Sequence, residues 1–461
     1  MVFSSELFLF AFLPVTLIVY YIIPSRFIQA KNVWLLIMSL LFYAWGEPKN
    51  VLLMIGSILM NYIFGLLLEK YDKKNVRQFV LFLSVLFNLG MLFFFKYLGF
   101  FTNYRFQVAL PIGISFFTFQ IMSYTIDVYR RNVPVQTNVF KLGLYISLFP
   151  QLIAGPIVRY IDVAEQIDER SYDISKIFFG VSRFSIGLAK KVVISNTVAA
   201  LVDQIFELDP TLIASSTAWL GAVAYALQIY FDFSGYSDMA IGIGHMLGFD
   251  FIENFDYPYI SGTVQEFWRR WHISLSSWFK DYLYIPLGGN RKGKVRTYVN
   301  LLIVFAATGF WHGASMNFLI WGLFHGLFLV IERIGFSKLL SKIPKFLGRI
   351  YTLLVVLVGW VLFRAENMTI AWQYICSMFN FARWGWVQAV SQLSGMTIII
   401  LLIGIVFSAP ILPKLSKTIV GKQGGEMADT VIRGIGAALL LFVSILCLAG
   451  SGYNPFIYFR F

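Results

Sequence analysis

Residues 79–99 read FVLFLSVLFNLGMLFFFKYLG, and this apolar run decides the class of fold. A helix needs about 20 mostly apolar residues to cross the hydrocarbon core of a bilayer. Strands of a membrane barrel would instead alternate apolar and polar side chains between short turns. Because the run is continuous and of helical length, it predicts a transmembrane helix.

Similar runs recur along the chain, which is 58% hydrophobic and 13% charged, against about half and a quarter in soluble proteins. Several runs are too short or too interrupted to span a bilayer. We therefore predict an all-α polytopic membrane protein with about eleven transmembrane helices, the remaining helices being re-entrant or interfacial. No Pro-, Gly- or Ser-rich linker is visible, which predicts a single domain over residues 1–461. The other runs lie at residues 3–24, 32–46, 51–68, 108–126, 140–158, 178–200, 212–231, 298–312, 316–332, 350–363, 394–411 and 431–450.

The formal net charge is +13, but the basic residues are placed as in a membrane protein rather than a nucleic-acid-binding protein. They cluster in short loops between apolar runs, which is the positive-inside pattern, and such loops also favour anionic lipid head groups. With these loops in the cytoplasm, the N-terminus lies on the outer side of the cytoplasmic membrane. We expect the lipid bilayer as a partner and no nucleic acid. The clusters are Lys70, Lys73, Lys74 and Arg77; Lys338, Lys342, Lys345 and Arg349; and Lys414, Lys417 and Lys422.

Four histidines lie in or beside apolar segments, where a polar side chain costs free energy and needs a reason. His245 and His325 stand beside glycines, in GIGHMLG and LFHGL, and we expect them to hydrogen-bond neighbouring helices. The chain has two cysteines, Cys376 and Cys447, and no His-Glu-x-x-His motif. The sequence therefore predicts no metal site.

His312 is placed differently, in TGFWHGASMNF between two apolar runs. The far ends of both runs are basic, which puts both in the cytoplasm and predicts a hairpin with His312 at its inner apex. Gly309 and Gly313 would let the backbone bend or a ligand approach closely. An imidazole at such an apex can serve as a general base.

Residues 268–289, WRRWHISLSSWFKDYLYIPLGG, combine aromatic rings with charges. Treated as one helix, the segment has an aromatic face with His272 at its border. A helix this charged will not cross lipid, so it should be interfacial or re-entrant. Two interpretations stay open, an interfacial helix anchored by a tryptophan belt and the lining of an active site. The residues on the aromatic face are Trp268, Trp271, Leu275, Trp278 and Tyr282.

Six motifs occur in order over most of the chain, and together they resemble the membrane-bound O-acyltransferase family (MBOAT), within it the alginate-type branch. The teichoic acid D-alanine transfer branch is a more distant resemblance. The motifs are LPIGISFFTFQIMSYTIDVYR (110–130), FPQLIAGPIVRY (149–160), YFDFSGYSDMAIGIGHMLGF (230–249), FWRRWHISLSSWFKDYLYIPLGGNR (267–291), GFWHGASMNFLIWGLFHG (309–326) and NPFIYFRF (454–461).

This resemblance implies a multi-helix fold around a transmembrane tunnel, with an acyl donor entering from the cytoplasm and an acceptor outside. The essential histidine of the family maps onto His312, and its second polar position maps onto His272. The resemblance implies acetyl-CoA as the co-substrate and no permanently bound cofactor. The basic residues expected to attract the CoA phosphates are Arg269, Arg270, Arg291 and Lys292.

Relatives of this branch pass the acyl group to an extracytoplasmic partner of SGNH-hydrolase type, which modifies a polysaccharide. The resemblance therefore implies such an acetyltransferase as partner and a polysaccharide as acceptor. The competing interpretation is a transporter or flippase that exports an acyl carrier without chemistry, or a scaffold for the partner. No internal repeat is visible, which argues against a transporter. The acceptor polymer and the donor chain length stay open.

Overall fold

The computed structural model describes residues 1–103, 105–106, 108–153, 155–171, 173–421, 425–450 and 452–457. Lys422 of the third basic cluster, Ala154 of the second motif and residues 458–461 of the last motif lie outside the described residues. The chain divides into two compact units. The first unit contains Met1–Phe184 and Tyr236–Glu253, and the second contains Ser185–Gly235 and Asn254–Phe461.

Helices of the first unit are held together by polar side chains as well as by apolar packing. Asn61 and Asn88 exchange amide hydrogen bonds of 3.1 and 2.7 Å, and the hydroxyls of Ser84 and Thr125 lie 3.1 Å apart. Such contacts link helices where lipid offers no hydrogen-bond partner. The helices are α1 (Phe8–Ile22), α2 (Ile28–Gly46), α3 (Asn50–Lys70), α4 (Lys74–Phe101), α5 (Ile114–Arg130), α6 (Val139–Ser147), α7 (Phe149–Leu152), α8 (Tyr160–Asp168) and α9 (Ile174–Ala189), the last with residues in both units.

The second unit carries the predicted site. Its described residues form helices and no strand. The long helix α11 has residues in both units. The helices are α10 (Asn196–Phe206), α11 (Ser215–Leu247), α12 (Val264–Arg270), α13 (Ile273–Phe279), α14 (Lys294–His312), α15 (Met316–Leu340), α16 (Lys345–Arg364), α17 (Met368–Phe379), α18 (Trp386–Ser391), α19 (Gly395–Phe407), α20 (Ile411–Val420) and α21 (Gly425–Gly450).

The helical, multi-pass membrane class is confirmed, whereas the predicted number of about eleven spans is not. Among the described residues, six helices are long and apolar enough to cross a bilayer, namely α2, α3, α4, α15, α16 and α21. The pair α19 and α20, bent by 59°, makes seven when it is counted as one span. The remaining helices are shorter or more polar than a complete span requires.

The predicted hairpin that carries His312 is formed by α14 and α15, whose backbones touch. A Cβ on Gly309 would lie 2.1 Å from the carbonyl oxygen of Phe318, and one on Gly322 would lie 2.1 Å from that of Phe305. Small residues allow this approach in membrane helices. Gly309 therefore serves helix packing, rather than the approach of a ligand that the sequence suggested.

Replacing Gly309 with alanine should force α14 and α15 apart, because the carbonyl of Phe318 cannot yield as a flexible side chain would. We expect Gly309→Ala to destabilise the fold by about 1–3 kcal/mol, the usual cost of overpacking. Thermal unfolding of the purified protein in detergent measures this as a lower Tm.

Gly436→Ala in α21 is the matched control, because a Cβ there meets no atom within 4 Å. Its Tm should stay unchanged or rise slightly, since alanine is the better helix former. Equal Tm changes in the two variants would contradict the proposed backbone contact.

Candidate active site around His312 and His272

His312 is the last residue of α14, and the chain continues through an extended Gly313 into α15. Its side chain is buried, and its ring lies against Trp311 (4.9 Å between ring centroids), Trp321 (5.1 Å) and Phe363 (5.3 Å). The imidazole therefore lies at the end of α14 and is packed among aromatic rings.

A small void of about 10 Å³ adjoins the His312 side chain. This is about the smallest space that holds one water molecule or one methyl group. Among the described residues, the side chains around the void are apolar or aromatic apart from the imidazole. The other lining residues are Ile229, Phe233, Trp271, Trp321, Trp360, Phe363 and Ile457.

His272 lies between α12 and α13 in the left-handed backbone region (φ 46°, ψ 55°), where few residues other than glycine occur. Its side chain is 1% exposed, and its Nδ1 lies 3.2 Å from Oδ1 of Asn254. The same oxygen accepts hydrogen bonds from the backbone N–H (3.2 Å) and hydroxyl (2.9 Å) of Ser274. These donors establish the Asn254 atom as an oxygen, so Nδ1 of His272 carries the proton and Nε2 carries the lone pair.

Burial lowers the pKa of His272 from 6.5 to about 3, because a charged imidazole loses its hydration in this environment. The side chain is therefore neutral throughout the physiological pH range. A neutral imidazole with the proton on Nδ1 can accept a hydrogen bond at Nε2 but cannot donate one there.

The prediction of one continuous helix through His272 is wrong. Helix α12 ends at Arg270, and the backbone N–H of Ile273 donates to the carbonyl of Asn254 (2.9 Å). The carbonyl of Arg270 likewise accepts from Asp256 N–H (2.9 Å). These two hydrogen bonds to Asn254 and Asp256 interrupt the helix at Trp271 and His272. The His272 side chain therefore does not have the direction that one continuous helix would give it.

The start of α12 is fixed by a carboxylate from α15. The Glu332 side chain is buried and accepts hydrogen bonds from the backbone N–H groups of Val264 (2.6 Å) and Gln265 (2.9 Å). The hydroxyl of Thr263 caps the same turn through Glu266 N–H (3.0 Å). An acidic group is favourable at a helix N-terminus, which carries partial positive charge.

Aromatic contacts connect the two predicted site histidines. The indole of Trp311 lies 4.9 Å from the His312 ring and 6.2 Å from the His272 ring. Phe233 lines the void beside His312 and lies 5.3 Å from the His272 ring. The structure therefore brings His272 and His312 into one aromatic cluster of the second unit.

The other two histidines differ from the expectation of hydrogen bonds to neighbouring helices. Neither ring nitrogen of His325 hydrogen-bonds any of the described residues, and its ring packs against Trp268 (5.1 Å) and Trp321 (5.3 Å). His245, in the first unit, has Nε2 3.5 Å from the carboxylate of Asp250, which follows α11. That contact joins a helix to its own loop.

A larger cavity of about 610 Å³ lies in the second unit, and its lining combines charged side chains, among them Glu332, with apolar ones. Arg269, Lys280 and Arg333 supply the positive charge. Trp268 also lines it and lies 5.7 Å from Trp321, which in turn lines the void at His312. The apolar lining includes Leu275, Phe279, Leu301, Val304, Phe305 and Leu329.

Of the four basic residues expected to meet the donor, Arg269 is the one in the lining of this cavity. Arg270 instead forms ion pairs with Asp256 (2.7 Å) and Glu266 (3.0 Å). Arg291 and Lys292 lie exposed in the turn before α14 and are not among the lining residues. Within the described ranges, no three His, Cys, Asp or Glu side chains come together as metal ligands.

The sequence did not predict that Lys280 and Arg333 line the large cavity. It also did not predict that Trp321 packs against His312. Lys280 belonged to the charged segment 268–289, but it was not assigned to the donor. Arg333 follows an apolar run and looked like an ordinary basic helix end. Trp321 offered a signal, since it follows His312 by nine residues and stands in the second turn of the second arm of the hairpin.

Comparisons with known proteins identify the family. The sequence model of the membrane-bound O-acyltransferase family matches residues 134–371. The chain is 43% identical to the "Probable alginate O-acetylase AlgI" of Pseudomonas putida over 100% of both proteins. It is 38% identical to the "Peptidoglycan O-acetyltransferase" of Helicobacter pylori, over 82% of this chain and 80% of that one. It is 25% identical to the "Teichoic acid D-alanyltransferase" of Bacillus subtilis, over 47% of this chain and 58% of that one.

A multi-pass helical membrane protein with two histidines in a buried aromatic cluster is the class that the fold and the site define. The chain belongs to the membrane-bound O-acyltransferase family. It is an O-acyltransferase that uses an acyl donor as co-substrate.

Because His272 is buried in its neutral form, the stability of the folded protein should fall as the pH is lowered. Its folded-state pKa of about 3 lies below the ordinary 6.5, so between these values the unfolded chain binds a proton that the folded chain does not. Stability is therefore lost as the pH falls below 6.5, by at most about 1.4 kcal/mol per pH unit.

His272→Asn keeps an N–H donor toward Asn254 and cannot titrate. Between pH 7 and pH 4, the Tm of the wild type should fall more steeply than that of the variant. Tryptophan fluorescence during thermal unfolding in detergent measures both curves. Parallel curves would show that the imidazole does not remain neutral in the folded state.

Proposed function

We propose that the chain transfers an acetyl group from a thioester donor, acetyl-CoA, for the O-acetylation of an extracytoplasmic polysaccharide. The observation that carries this proposal is the buried His312 imidazole beside a void of about 10 Å³. A space of this size is comparable to one small group such as the methyl of an acetyl group, and not to a longer acyl chain. The names of the relatives, an alginate O-acetylase and a peptidoglycan O-acetyltransferase, support a polysaccharide acceptor.

His312 acts as the general base. Its lone pair removes the hydroxyl proton of the acceptor as the acceptor oxygen attacks the thioester carbonyl carbon. The carbon–oxygen bond forms, the carbon–sulfur bond breaks, and the proton passes from the imidazolium to the departing thiolate. The products are an ester and a free thiol, and His312 returns to its neutral form.

His272 orients the acceptor. Its Nδ1 proton is directed to Asn254, and its Nε2 lone pair can accept a hydrogen bond from an acceptor hydroxyl. Stabilising the acyl carbonyl oxygen would require a donor at Nε2, which the neutral imidazole lacks. Of the two roles open to this residue, orientation of the hydroxyl is the one that its tautomer supports.

The cavity of about 610 Å³ holds the donor. Arg269, Lys280 and Arg333 meet the phosphates of CoA, while the apolar lining contacts its uncharged arm. Arg291 and Lys292, exposed in the neighbouring turn, attract the anionic donor from solution over a longer range. Arg270 remains paired with Asp256 and Glu266 and stabilises the backbone just before His272.

We place the protein in the cytoplasmic membrane with its N-terminus outside, because the basic clusters then face the cytoplasm. The donor side is then cytoplasmic, and an extracytoplasmic acetyltransferase of SGNH-hydrolase type receives the acetyl group for the polysaccharide. Residues 1–461 act as one acyltransferase domain, which the match over the full length of an alginate O-acetylase supports.

His312→Ala should abolish acetyl transfer, since loss of a general base costs roughly 10²–10⁴-fold in rate. The measurement is the O-acetyl content of surface polysaccharide in cells that lack the gene and carry either wild type or variant. Membrane levels of both proteins are compared by immunoblot.

His245→Gln is the control, because this histidine belongs to the first unit and contacts Asp250 rather than the aromatic cluster. It should restore acetylation as the wild type does. Full restoration by His312→Ala at normal protein level would instead support a transporter or a scaffold for the partner.

Neutralising the cations of the large cavity should weaken donor binding rather than slow the chemical step. For Arg269→Gln, Lys280→Gln and Arg333→Gln we expect KM for acetyl-CoA to rise about fivefold each, with kcat nearly unchanged, as for the loss of about 1 kcal/mol of binding. Thiol release by membranes containing each variant measures both constants.

Lys417→Gln, in the exposed helix α20, removes one positive charge away from the lining residues. Its KM should equal that of the wild type. A rise as large as that of the cavity variants would mean that net charge, rather than the cavity, governs donor affinity.

A further inference from the structure

The void beside His312 is closed on one side by a residue outside the helices. Ile457 belongs to the segment that follows α21, and its buried side chain lines the void together with His312. Most of the other walls are aromatic rings that also pack against one another, as Trp321, Trp360 and Phe363 do (5.1–6.2 Å between centroids). Truncating Ile457 would therefore enlarge the void without removing one of these rings.

A buried ion pair holds this segment in place. The Lys191 ammonium lies 2.6 Å from the carboxylate of Asp232, and both side chains are almost fully buried (2% and 1% exposed). The second oxygen of Asp232 accepts the backbone N–H of Ile457 (3.0 Å). The same ammonium donates to the carbonyl of Pro455. One ion pair thus binds the backbone at two positions beside the void.

Two more contacts fix the preceding residues. The hydroxyl of Tyr453 donates to Asp203 (2.6 Å), whose carboxylate is also paired with Arg364 (2.7 Å). The side-chain amide of Asn196 donates to the side-chain oxygen of Asn454 (3.2 Å). With these bonds, the described residues from Tyr453 to Ile457 have a defined position against the helices of the second unit.

Two buried charges cost more in desolvation than a well-packed apolar pair, unless further hydrogen bonds use their remaining atoms. Here those atoms bind the segment that carries Ile457. The position of one side chain at the void therefore depends on Lys191 and Asp232.

From this geometry we infer that Ile457 sets the acyl chain length, and that the Lys191–Asp232 pair is the positioning element that keeps it at the void. This inference rests on the proposed acetyl transfer. The void accepts the methyl of an acetyl group, whereas a propionyl group carries one more methylene into a space already filled. One methylene in such a pocket discriminates between substrates by roughly 10–200-fold.

The test compares acetyl-CoA with propionyl-CoA in membranes that contain the full chain and the other cell-surface components. Released thiol is measured, and acetate and propionate esters of the polysaccharide are quantified by mass spectrometry after alkaline release. Ile457→Ala should raise the propionyl-to-acetyl ratio at least tenfold while acetyl transfer falls only a few-fold. Ile457→Val should produce a smaller shift in the same direction.

Ile398→Ala in α19 is the matched control, because this isoleucine is 44% exposed and does not line the void. Its acyl ratio should equal that of the wild type. If the wild type transfers acetyl and Ile457→Ala leaves the ratio unchanged, the inference is wrong although the proposed function stands. If the wild type transfers neither acyl group, the proposed function itself fails.

Asp232→Asn separates positioning from general stability. It keeps an oxygen for the N–H of Ile457 but removes the charge that Lys191 pairs with. We expect the propionyl-to-acetyl ratio to rise about threefold to tenfold, and the double variant with Ile457→Ala to show no further rise. Equal loss of both acyl activities, with an unchanged ratio, would show a purely structural role and overturn the part assigned to the ion pair.

Discussion

The backbone contact between α14 and α15 is the constraint on which the site depends. Gly309 lies one helical turn before His312, and Gly322 follows Trp321 directly, so their contact determines how closely imidazole and indole approach. Trp321 can therefore pack against His312 because Gly309 and Gly322 have no side chains. Membrane helices gain little from hydrophobic association, since lipid is equally apolar, and close packing of this kind supplies the attraction instead.

Exclusion of water is the chemical result of this packing. A thioester beside a general base is open to hydrolysis whenever water can reach the acyl carbon, and a transferase has to prevent that reaction. Among the described residues, the void at His312 is lined by apolar and aromatic groups apart from the imidazole itself, which leaves little room for water beside the histidine. Burial also keeps His272 neutral. The inferred size selection and the exclusion of water therefore depend on the same side chains.

The features that the sequence alone predicted are those that depend on residues close together along the chain. Apolar length and basic loops indicated the membrane class and the hairpin at His312, because both signals are local. The break at His272 was not predictable, since Asn254 competes for the helical hydrogen bonds from outside the 268–289 segment. Lys280 and Arg333 were missed for the same reason, because only the folded chain brings them to one cavity. Hydrophobic periodicity predicts which face of an isolated helix a residue occupies. The positions of His272, Lys280 and Arg333 depend instead on contacts between segments that are distant in sequence.

Among the described residues, the large cavity and the void at His312 share no lining residue, and Trp268 of the cavity contacts Trp321 of the void. Neither indole N–H hydrogen-bonds any of the described residues, so packing holds these two rings in place. Under the proposed function, a thioester donor in the large cavity has to pass these two rings to reach His312, and binding of the rest of the donor would supply the free energy for their separation.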